Sequence, residues 1–446
     1  MDKKNRGKKL FLEFGLFAVL WLIFLFIAKL ESLNYFTGVD TRIENVFVYF
    51  RFAKAVDFFQ TITFFGKLEF IYPLTIIICL LLWRYKKFKY IPSFILTAGG
   101  AQLCNFILKS ILQKPRPMFS LVSETSYSFP SGHAVLAVAF YGLIVYFAYK
   151  NLKSRVLKVL VYFAGVIFIF LIGFSRIYLS AHFYSDVLAG WILGGTWLIL
   201  GILLFKSIAF KTINKLVVLI LSVFVIIVSS LFFLTLPTPK VIVSFKTVVV
   251  KNALSEFNRE NLPRFTEKLS GAHQQPLSFF IVAKNDNELI NTFAQAGWVL
   301  SEQFSLSTTL KLAETAVENK PYPRGPITPS LWEYQVQSFS FAKPTSENTI
   351  RQRHHCRFWK TNIRTTEGKT LYVGTATYDS GIKKWLVTHK VDANIDKERE
   401  FLFKDLLKTG EVEKSEKINS VGSVKGTNFQ GDYFYTDGKA YVIYFK

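Results

Sequence analysis

The sequence has few of the residues that build disulfide frameworks and zinc sites. Three of its 446 residues are cysteines and six are histidines. Cys79 and Cys104 lie in apolar runs, and Cys356 is the only cysteine in the second half of the chain. Their spacing fits neither a zinc site nor the paired cysteines of a small secreted domain. We therefore expect no disulfide framework and no structural zinc site.

Acidic residues are scarce in the first half of the chain. Residues 1–240 hold 26 lysines and arginines but only 9 aspartates and glutamates, a net charge of +17. Residues 241–446 hold 28 and 22, a net charge of +6. Strong positive charge can indicate a nucleic-acid partner. Here most of the excess borders apolar runs, so we expect a membrane and no nucleic acid as the partner.

The first half contains seven apolar runs, most of them close to the ~20 residues that a membrane-spanning helix needs. They cover about residues 10–29, 68–83, 91–108, 132–148, 157–174, 187–205 and 216–236. The aromatic stretch 45–65 also carries Arg51, Lys54 and Asp57, so we expect it at the membrane interface. The predicted fold is an all-α polytopic membrane helical bundle over residues 1–240, followed by a soluble α+β domain over 241–446.

Basic clusters predict how the bundle is oriented. They lie at residues 3–9, 84–89, 150–158 and 206–215. If the seven runs alternate across the membrane, all four clusters fall on one side, which the positive-inside rule makes the cytoplasm. The loops 109–131 and 175–186 then face outward, as does the chain after residue 237. The first run has no small-residue cleavage site after it, so we expect an uncleaved anchor.

Rare ionisable residues mark the candidate site. His133 and His182 are the only histidines in the first 240 residues, and Asp186 is the only carboxylate between Glu124 and Glu256. Such residues among apolar stretches are costly and usually functional. Simpler roles exist: a histidine can be structural, a cation can extend to the interface, and Asp186 can favour a helix N-terminus. Their occurrence together favours a catalytic site.

Three short strings supply the residues that phosphoryl transfer requires. They are Lys109 with Arg116-Pro117, then Pro130-Ser131-Gly132-His133, then Ser175-Arg176 with His182 and Asp186. A phosphoryl group in transfer carries negative charge, and catalysis mostly positions and neutralises it. Lys109, Arg116 and Arg176 supply positive charge. The helix that opens at Ser131-Gly132 presents backbone N–H groups to an anion.

The two histidines can divide the chemistry between them. One attacks phosphorus as a neutral imidazole, and the other protonates the leaving oxygen. His182 and Asp186 are four residues apart, so on a helical turn they share one face. A carboxylate on one ring nitrogen fixes the tautomer and leaves the other nitrogen free. We therefore predict His182 as the nucleophile, Asp186 as its orienting carboxylate and His133 as the general acid.

These strings resemble the type-2 phosphatidic acid phosphatase superfamily, which includes membrane lipid phosphatases and vanadium haloperoxidases. The family pattern is Lys, six residues, Arg-Pro; then Pro-Ser-Gly-His; then Ser-Arg, five residues, His, three residues, Asp. The chain matches it at every position, within a core of about residues 40–205. Lys114-Pro115, where many members have a further Arg-Pro, lies outside this pattern.

The resemblance implies an all-helical core and a phosphohistidine mechanism that needs no metal and no cofactor. It also implies a phosphate pocket. Its expected lining residues are Lys109, Arg116, Ser131, Gly132, Arg176 and His182. The haloperoxidase branch is soluble, so the apolar runs favour a lipid phosphatase acting on a lipid phosphate or pyrophosphate. We expect it in the bacterial cytoplasmic (inner) membrane, with the site and the second domain facing the periplasm or outside.

Two other functions remain open from the sequence. A lipid phosphotransferase would use the same phosphohistidine but hand the phosphoryl group to a second lipid. A non-catalytic membrane protein would bind lipid with a degenerate site. The substrate lipid is also open: undecaprenyl pyrophosphate, phosphatidic acid, phosphatidylglycerol phosphate and lipid A phosphates all fit an outward-facing pocket.

The second half mixes helical and strand patterns. Residues 285–298 and 396–408 are predicted amphipathic helices, and residues 277–283 and 370–378 are predicted strands. The alternation around Asp437-Gly438 predicts a β-hairpin. An α+β class follows.

One polar region of the second half has two interpretations. It comprises the string Arg353-His354-His355-Cys356-Arg357, then Asp379, His389, Asp392, Asp396 and Glu400. Histidines and carboxylates at this density can hold a metal, or they can form a charged strand-and-helix surface. The string, with Tyr-Val-Gly-Thr-Ala and Ile395-Asp396 after it, resembles the C-terminal domain of bacterial LssY-like proteins. That resemblance assigns no site and no protein partner.

Overall fold

The chain forms one helical unit and one sheet-rich unit. A computed structural model describes residues 3–210, 247–251, 262–346, 350–383, 388–428 and 431–446. It divides into two compact units, residues 1–242 and 243–446. The described part of the first unit is helical, and the second combines sheets with helices. The predicted fold class is therefore confirmed.

Eight helices make up the described part of the first unit. They are α1 (Lys3–Ser32), α2 (Thr37–Tyr49), α3 (Ala53–Phe64), α4 (Leu68–Arg84), α5 (Phe88–Leu112), α6 (Gly132–Asn151), α7 (Arg155–Tyr178) and α8 (Tyr184–Phe210). α5 and α6 each include a short π-helical stretch. Each of the first six predicted apolar runs falls within one of these helices. The seventh, residues 216–236, lies outside the described residues.

The described residues contain five helices long and apolar enough to cross a membrane. They contain six if α3 and α4, which meet at an angle of 41°, form one bent span. Large apolar side chains on the outer face of α7, such as Leu160, Phe163 and Ile167, are exposed. This is the surface expected of a helix that contacts lipid. The chain is a multi-pass membrane protein.

Two glycines of α8 bring α6 and α8 into close contact. A Cβ atom at Gly190 would lie 2.8 Å from the backbone oxygen of Ser131, and one at Gly194 would lie 2.5 Å from that of Val135. Any larger residue would push the helices apart. Because they meet closely, the Ser131 N–H donates to the Asp186 carbonyl oxygen at 3.0 Å. This contact brings the second and third sequence strings together.

The second unit is built on a nine-stranded mixed sheet. Its strands are β1 (Val248–Val250), β4 (Phe279–Ala283), β5 (Val299–Leu300), β8 (Phe339–Pro344), β9 (Arg353–Thr365), β10 (Thr370–Lys383), β11 (Thr388–Val391), β12 (Val412–Asn419) and β15 (Lys439–Phe445). The main order is β12-β15-β4-β10-β9-β8-β5, with β1 beside β9 and β11 beside β10. Two smaller sheets contain β2 (Phe265–Glu267), β3 (His273–Pro276), β6 (Leu331–Trp332) and β7 (Gln335–Val336), and β13 (Val424–Thr427) with β14 (Tyr433–Thr436).

Helices cover one face of the main sheet. They are α9 (Asp286–Gln295) and α11 (Ile395–Lys408), with α10 (Leu306–Glu318) elsewhere in the unit. Leu289 and Phe293 of α9 and Leu402 of α11 pack with Phe358 and Cys356 of the sheet. Burying these side chains stabilises the unit by about 1.5–3 kcal/mol for each large apolar group. The two predicted helices and the two predicted strands of this half are confirmed.

The predicted hairpin around Asp437-Gly438 is wrong. The turn exists, because Gly438 has a φ of +75° that favours glycine. However, β14 pairs with β13, whereas β15 pairs with β12 and β4. Arg399 of α11 donates to Asp437 at 2.7 Å and to the Lys439 carbonyl at 2.8 Å. This helix contact holds the turn while the two strands enter different sheets.

Candidate active site

The three sequence strings meet where six segments of the first unit come together. Lys109 lies in the last turn of α5, and Arg116 follows in the loop to α6. Ser131, Gly132 and His133 form the start of α6. Arg176 lies at the end of α7, His182 in the turn that follows, and Asp186 in the first turn of α8. Helix ends and their loops thus supply every predicted site residue.

His182 is held by hydrogen-bonding groups on one ring nitrogen. Its Nδ1 lies 3.4 Å from Asp186 Oδ2 and 3.3 Å from Ser128 Oγ. Ser128 Oγ–H itself donates to Asp186, which also accepts the Phe183 N–H at 2.9 Å. His182 precedes helix α8 instead of lying in a helical turn with Asp186, but the two side chains still meet.

The other ring nitrogen of His182 faces positive charge. Its Nε2 lies 3.3 Å from Nη1 of Arg116. Burial lowers the pKa of His182 to about 3, assisted by Lys109, Arg116 and Arg176 and opposed by the hydrogen bond to Asp186. The imidazole is therefore neutral near pH 7, with Nδ1 turned to the carboxylate and Nε2 turned to the cations.

The three cations are anchored mainly by oxygen atoms of neighbouring segments. Lys109 donates to the Tyr127 carbonyl and lies 3.5 Å from Ser126 Oγ. Arg116 donates to the carbonyls of Ser126 and Ala181, each at 2.6 Å. Arg176 is fully buried, and its Nη1 donates to Thr63 Oγ1 at 2.7 Å. A buried charge is tolerated only with such partners, so these side chains are held in place.

The start of α6 carries polar atoms that lack protein partners. Ser131 Oγ and His133 Nε2 are buried and make no hydrogen bond within the described parts of the chain. Buried polar groups are normally paired, so these two atoms are available to a bound molecule. A Cβ atom at Gly132 would lie 2.9 Å from Asn105 Nδ2. Glycine therefore lets the helix start approach α5 closely.

Glu124 is a site residue that the sequence analysis missed. Its carboxylate forms an ion pair with Arg116 Nη2 at 2.6 Å and another with Arg176. Burial alone would raise the pKa of Glu124, but Arg176, His182, Arg116 and Lys109 lower it. The carboxylate thus occupies the position between two predicted phosphate-binding arginines. A signal existed, because Glu124 is the only acidic residue between Glu69 and Asp186.

Lys114 is a second missed residue, since it lies in the flanking Lys-Pro that the pattern leaves out. Its Nζ lies 2.9 Å from Glu31, 2.9 Å from Asp40 and 3.0 Å from Asp186 Oδ1. It also donates to Ser185 Oγ at 2.9 Å. Although burial would lower the pKa of Lys114, the three carboxylates raise it above its usual value. Lys114 therefore stays charged and fixes the carboxylate that orients His182.

The metal interpretation of the second half has no geometric support. In the parts of the chain that the structure describes, no group of three or more histidine, cysteine or acidic side chains is placed to hold a metal ion. The predicted polar string is instead divided by strand alternation. His354 faces α11, where its Nδ1 lies 2.8 Å from Glu398. Asp396 and Glu400 bind Arg399.

Comparison with known proteins identifies both units. The model of the PAP2 superfamily matches residues 91–209, and the model LssY C-terminus matches residues 259–440. Phosphatidylglycerophosphatase B of Bacillus subtilis (strain 168) is 37% identical over 178 residues, which are 39% of this chain and 87% of that protein. Undecaprenyl-diphosphatase of Sulfolobus acidocaldarius is 32% identical over 94 residues, 21% of this chain and 37% of that protein.

A solved structure gives a related match. The transmembrane PAP2 type phosphatidylglycerolphosphate phosphatase from Bacillus subtilis is 33% identical, and the match covers 45% of this chain and 98% of that one, with a TM-score of 0.40. The 37% identity to phosphatidylglycerophosphatase B over 87% of its length and the match of the family model to the helical unit lead to one assignment. The chain belongs to the PAP2 superfamily, and its second unit matches the LssY C-terminus family.

Proposed function

We propose that this protein is a membrane lipid phosphatase that removes phosphate from a lipid phosphate monoester or diphosphate. The observation that carries the proposal is a neutral His182 whose Nε2 faces Arg116, with Lys109 and Arg176 close by. Positive charge around a free nucleophilic nitrogen is what phosphoryl transfer requires. The relatives named phosphatidylglycerophosphatase B and undecaprenyl-diphosphatase support a lipid substrate.

Substrate binding begins with the phosphoryl oxygens. Lys109, Arg116 and Arg176 neutralise them, and the Ser131 hydroxyl and the first N–H groups of α6 donate hydrogen bonds. Glu124 must give up its ion pairs with both arginines when phosphate enters. These contacts strengthen as charge develops on the equatorial oxygens, so they lower the barrier and not only the dissociation constant.

The first chemical step forms a phosphohistidine. His182 Nε2 attacks phosphorus, and the bond from phosphorus to the leaving oxygen breaks. His133 gives its proton to that oxygen, which departs as the lipid alcohol or, from a diphosphate, as the lipid monophosphate. Asp186 keeps the Nδ1 proton in place and stabilises the charged ring.

The second step returns the enzyme to its starting state. His133, now neutral, takes a proton from water, and the resulting hydroxide attacks phosphorus. The bond from phosphorus to His182 Nε2 breaks, inorganic phosphate leaves, and His182 is again neutral. His133 is again protonated, so the two steps together consume one lipid phosphate and one water and regenerate the enzyme.

A phosphate-release screen tests this proposal. Purified protein in detergent is offered undecaprenyl pyrophosphate, phosphatidic acid, phosphatidylglycerol phosphate and a lipid A phosphate, with and without an acceptor lipid. We expect release from at least one lipid, persistence in EDTA because three side chains already supply the positive charge, and inhibition by vanadate, which adopts the geometry of the transferring group. A strict requirement for a divalent metal, or transfer to the acceptor without release, contradicts the proposal.

We further propose that the site and the second unit face the outside of a bacterial cytoplasmic membrane. The four basic clusters support this orientation. Cys356 is buried and cannot report it, whereas Ser415 on β12 is exposed. Ser415→Cys should react with a membrane-impermeant thiol reagent in intact spheroplasts, with the unsubstituted chain as the control. Labelling only after the membrane is broken contradicts this orientation for the second unit.

A further inference from the structure

Three strands of the second unit bring a polar cluster to one face of the sheet. Along β9 and β10, Arg353 is directly opposite Asp379, and His355 is directly opposite Thr377. Alternate residues of a strand share a face, so these four side chains lie together. His389 of β11 completes the cluster, since its Nδ1 lies 3.6 Å from Asp379 Oδ2. We call these five residues the sheet pocket.

The sheet pocket borders a cavity of about 50 Å³. Arg357, two residues after His355 on β9, also lines it, and residues 327–330 form another part of the wall. An ordered water needs ~10–15 Å³ of such space, so the cavity holds a few waters or one small group. It is too small for a sugar ring or a nucleotide base.

Two buried side chains of the sheet pocket have atoms without partners. His355 is 3% exposed and Thr377 is 4% exposed. Neither His355 Nε2 nor Thr377 Oγ1 makes a hydrogen bond to any residue within the described ranges. An unpaired buried hydroxyl destabilises the free protein. Their position on the cavity wall makes a bound ligand the simplest partner for both.

The charges of the sheet pocket determine whether the ligand is a cation or an anion. Arg353 balances the charge of Asp379, because its Nε lies 3.4 Å from Asp379 Oδ2. His355 Nδ1 lies 3.2 Å from the same oxygen. Arg353 also donates to the carbonyls of Gly325 and Pro326, so it serves the structure. Arg357, whose Nε donates to the Thr328 carbonyl at 3.0 Å, adds a second positive charge to the cavity wall. A cation would meet net positive charge here, whereas an anion would be attracted.

His355 can adapt to an anion. Burial lowers the pKa of His355 to about 4, with Asp379 opposing and Arg357 and Arg353 assisting. The free ring is therefore neutral, with Nδ1 towards Asp379 and Nε2 towards the cavity. It can accept the proton of a partly protonated oxyanion or take up a proton and become a donor, and Asp379 stabilises the charged ring.

We propose that the sheet pocket binds an oxyanion of the size of phosphate, either free phosphate or the phosphoryl group of a larger molecule. Thr377 Oγ1 and Arg357 donate to its oxygens, and His355 Nε2 holds its proton. This site lies in the second unit, is formed by none of the residues of the proposed catalytic site, and stands whether or not the proposed lipid phosphatase activity does.

Binding of radiolabelled inorganic phosphate to the full chain in detergent tests the proposal. Equilibrium dialysis should find two phosphate-binding sites in the wild-type chain, and Thr377→Val should weaken one of them. Arg176→Gln, which weakens the catalytic pocket, isolates the second site. In that background Thr377→Val should weaken binding by ~10-fold, the effect of losing one hydrogen bond to a charged group, whereas Thr377→Ser, which keeps the hydroxyl, should stay within about threefold.

Controls separate binding from folding and from other ligands. Thr377→Val removes an unpaired hydroxyl, so its unfolding temperature should be no lower than that of wild type, and its lipid phosphatase activity should be unchanged. Competition by glycerol 3-phosphate and by phosphatidic acid micelles tells free phosphate from a phosphoryl head group. Identical phosphate affinity of Arg176→Gln with and without Thr377→Val overturns the proposal. So does a stoichiometric divalent metal that is lost in His355→Gln.

Discussion

The two units each contain a buried aspartate that contacts both a cation and a histidine. Asp186 lies 3.0 Å from Lys114 and 3.4 Å from His182. Asp379 lies 3.4 Å from Arg353 and 3.2 Å from His355. The local pattern is nearly the same, although one site lies at helix ends and the other on a sheet face. An aspartate and histidine pair alone therefore does not define the chemistry.

The two sites differ in what surrounds the free ring nitrogen of the histidine. His182 Nε2 faces Arg116, with Lys109 and Arg176 near it. In the second unit Arg353 donates to backbone carbonyls and contacts Asp379, and Arg357, whose Nε donates to the Thr328 carbonyl at 3.0 Å, is a second cation on the cavity wall. Several cations around the free ring nitrogen favour phosphoryl transfer. A site with fewer cations is expected to bind an oxyanion without transferring it. The following predictions test this contrast.

The largest effect should come from the histidines of the first unit. We expect His182→Ala to lower phosphate release by at least ~10⁴-fold, since the nucleophile is lost. His133→Ala should cost ~10²–10⁴-fold, the usual contribution of a general acid. His355→Ala in the second unit should leave turnover within a factor of about two, because it touches no reacting atom. Initial rates of phosphate release measure all three.

A substrate with an activated leaving group separates the two roles. Nitrophenyl phosphate needs little protonation of its leaving oxygen, so its hydrolysis should be largely restored in His133→Ala but not in His182→Ala. Equal loss in both variants on this substrate would mean that the two roles are wrongly assigned. Correct insertion is checked by the thermal unfolding of each purified variant.

The cations that support the two aspartates should differ in their effect on activity. Lys114→Met leaves three buried carboxylates without their cation and should destabilise the first unit by about 3–5 kcal/mol, the usual cost of breaking a buried ion pair. It should also abolish turnover, because Asp186 loses its anchor. Arg353→Met should lower the stability of the second unit but leave turnover in the folded fraction unchanged. Differential scanning calorimetry of detergent-solubilised protein measures the stability of each variant, and parallel activity assays measure its turnover.

Lys114→Arg is the matched control for that comparison. It keeps the charge between Glu31, Asp40 and Asp186, so it should retain more stability than Lys114→Met even if the larger guanidinium fits poorly. If Lys114→Met keeps wild-type turnover, Asp186 does not depend on this lysine, and the similarity between the two clusters has no functional meaning.

A smaller effect is expected from Glu124. Its carboxylate occupies the two arginines that phosphate must engage, so Glu124→Gln should lower the inhibition constant of vanadate by ~3–10-fold, the scale of one charge-assisted contact. Glu44→Gln is the control, because Glu44 accepts the Phe119 N–H of the same loop at 3.1 Å and is not among the ion partners of Arg116. Weaker vanadate inhibition in Glu124→Gln would indicate that Glu124 holds the arginines in place for phosphate.

Three short strings and the family pattern that they resemble were enough to predict most of the residues that the first unit brings together. The strings carry Lys109, Arg116, Ser131, His133 and Arg176, residue types that suit phosphoryl transfer. Lys114 and Glu124 lie outside the pattern, and their partners include Asp40 and Arg176, which are more than fifty positions away. Without a pattern that includes them, neither contact could be inferred from the sequence.

The second unit shows why a polar string is harder to interpret. The sequence analysis grouped Arg353 to Arg357 with Asp379, His389 and three later acids. Strand alternation instead sends His355 to the sheet pocket and His354 to Glu398 of α11. The pairing of β9 with β10, which sets Thr377 opposite His355, depends on strand register. The same limit explains the hairpin that was predicted at Asp437.

The smallest effect is expected in the titration of His182 and His355, because neither ring should take up a proton near neutral pH. The pKa of His182 is lowered to about 3 and that of His355 to about 4, mainly by burial. We expect ¹⁵N spectra of histidine-labelled protein to show both rings neutral from pH 8 down to about pH 5, with Nδ1 protonated. His182→Gln and His355→Gln assign the signals. A midpoint near 6.5 for His182 would contradict the neutral nucleophile.

The same shifts predict how stability responds to acid. An unfolded histidine takes up a proton near its ordinary pKa of about 6.5. The folded chain does not, so the contribution of each neutral ring to stability is complete above about pH 6.5. It is lost as the pH falls towards the folded pKa, which is about 4 for His355 and about 3 for His182. In Arg176→Gln, where the catalytic pocket is weakened, added phosphate should alter this mainly at His355, since an oxyanion on Nε2 raises the pKa of that ring towards neutrality. A phosphate-dependent shift of the His355 signal that Thr377→Val abolishes would separate a ring that binds an anion from one that attacks phosphorus.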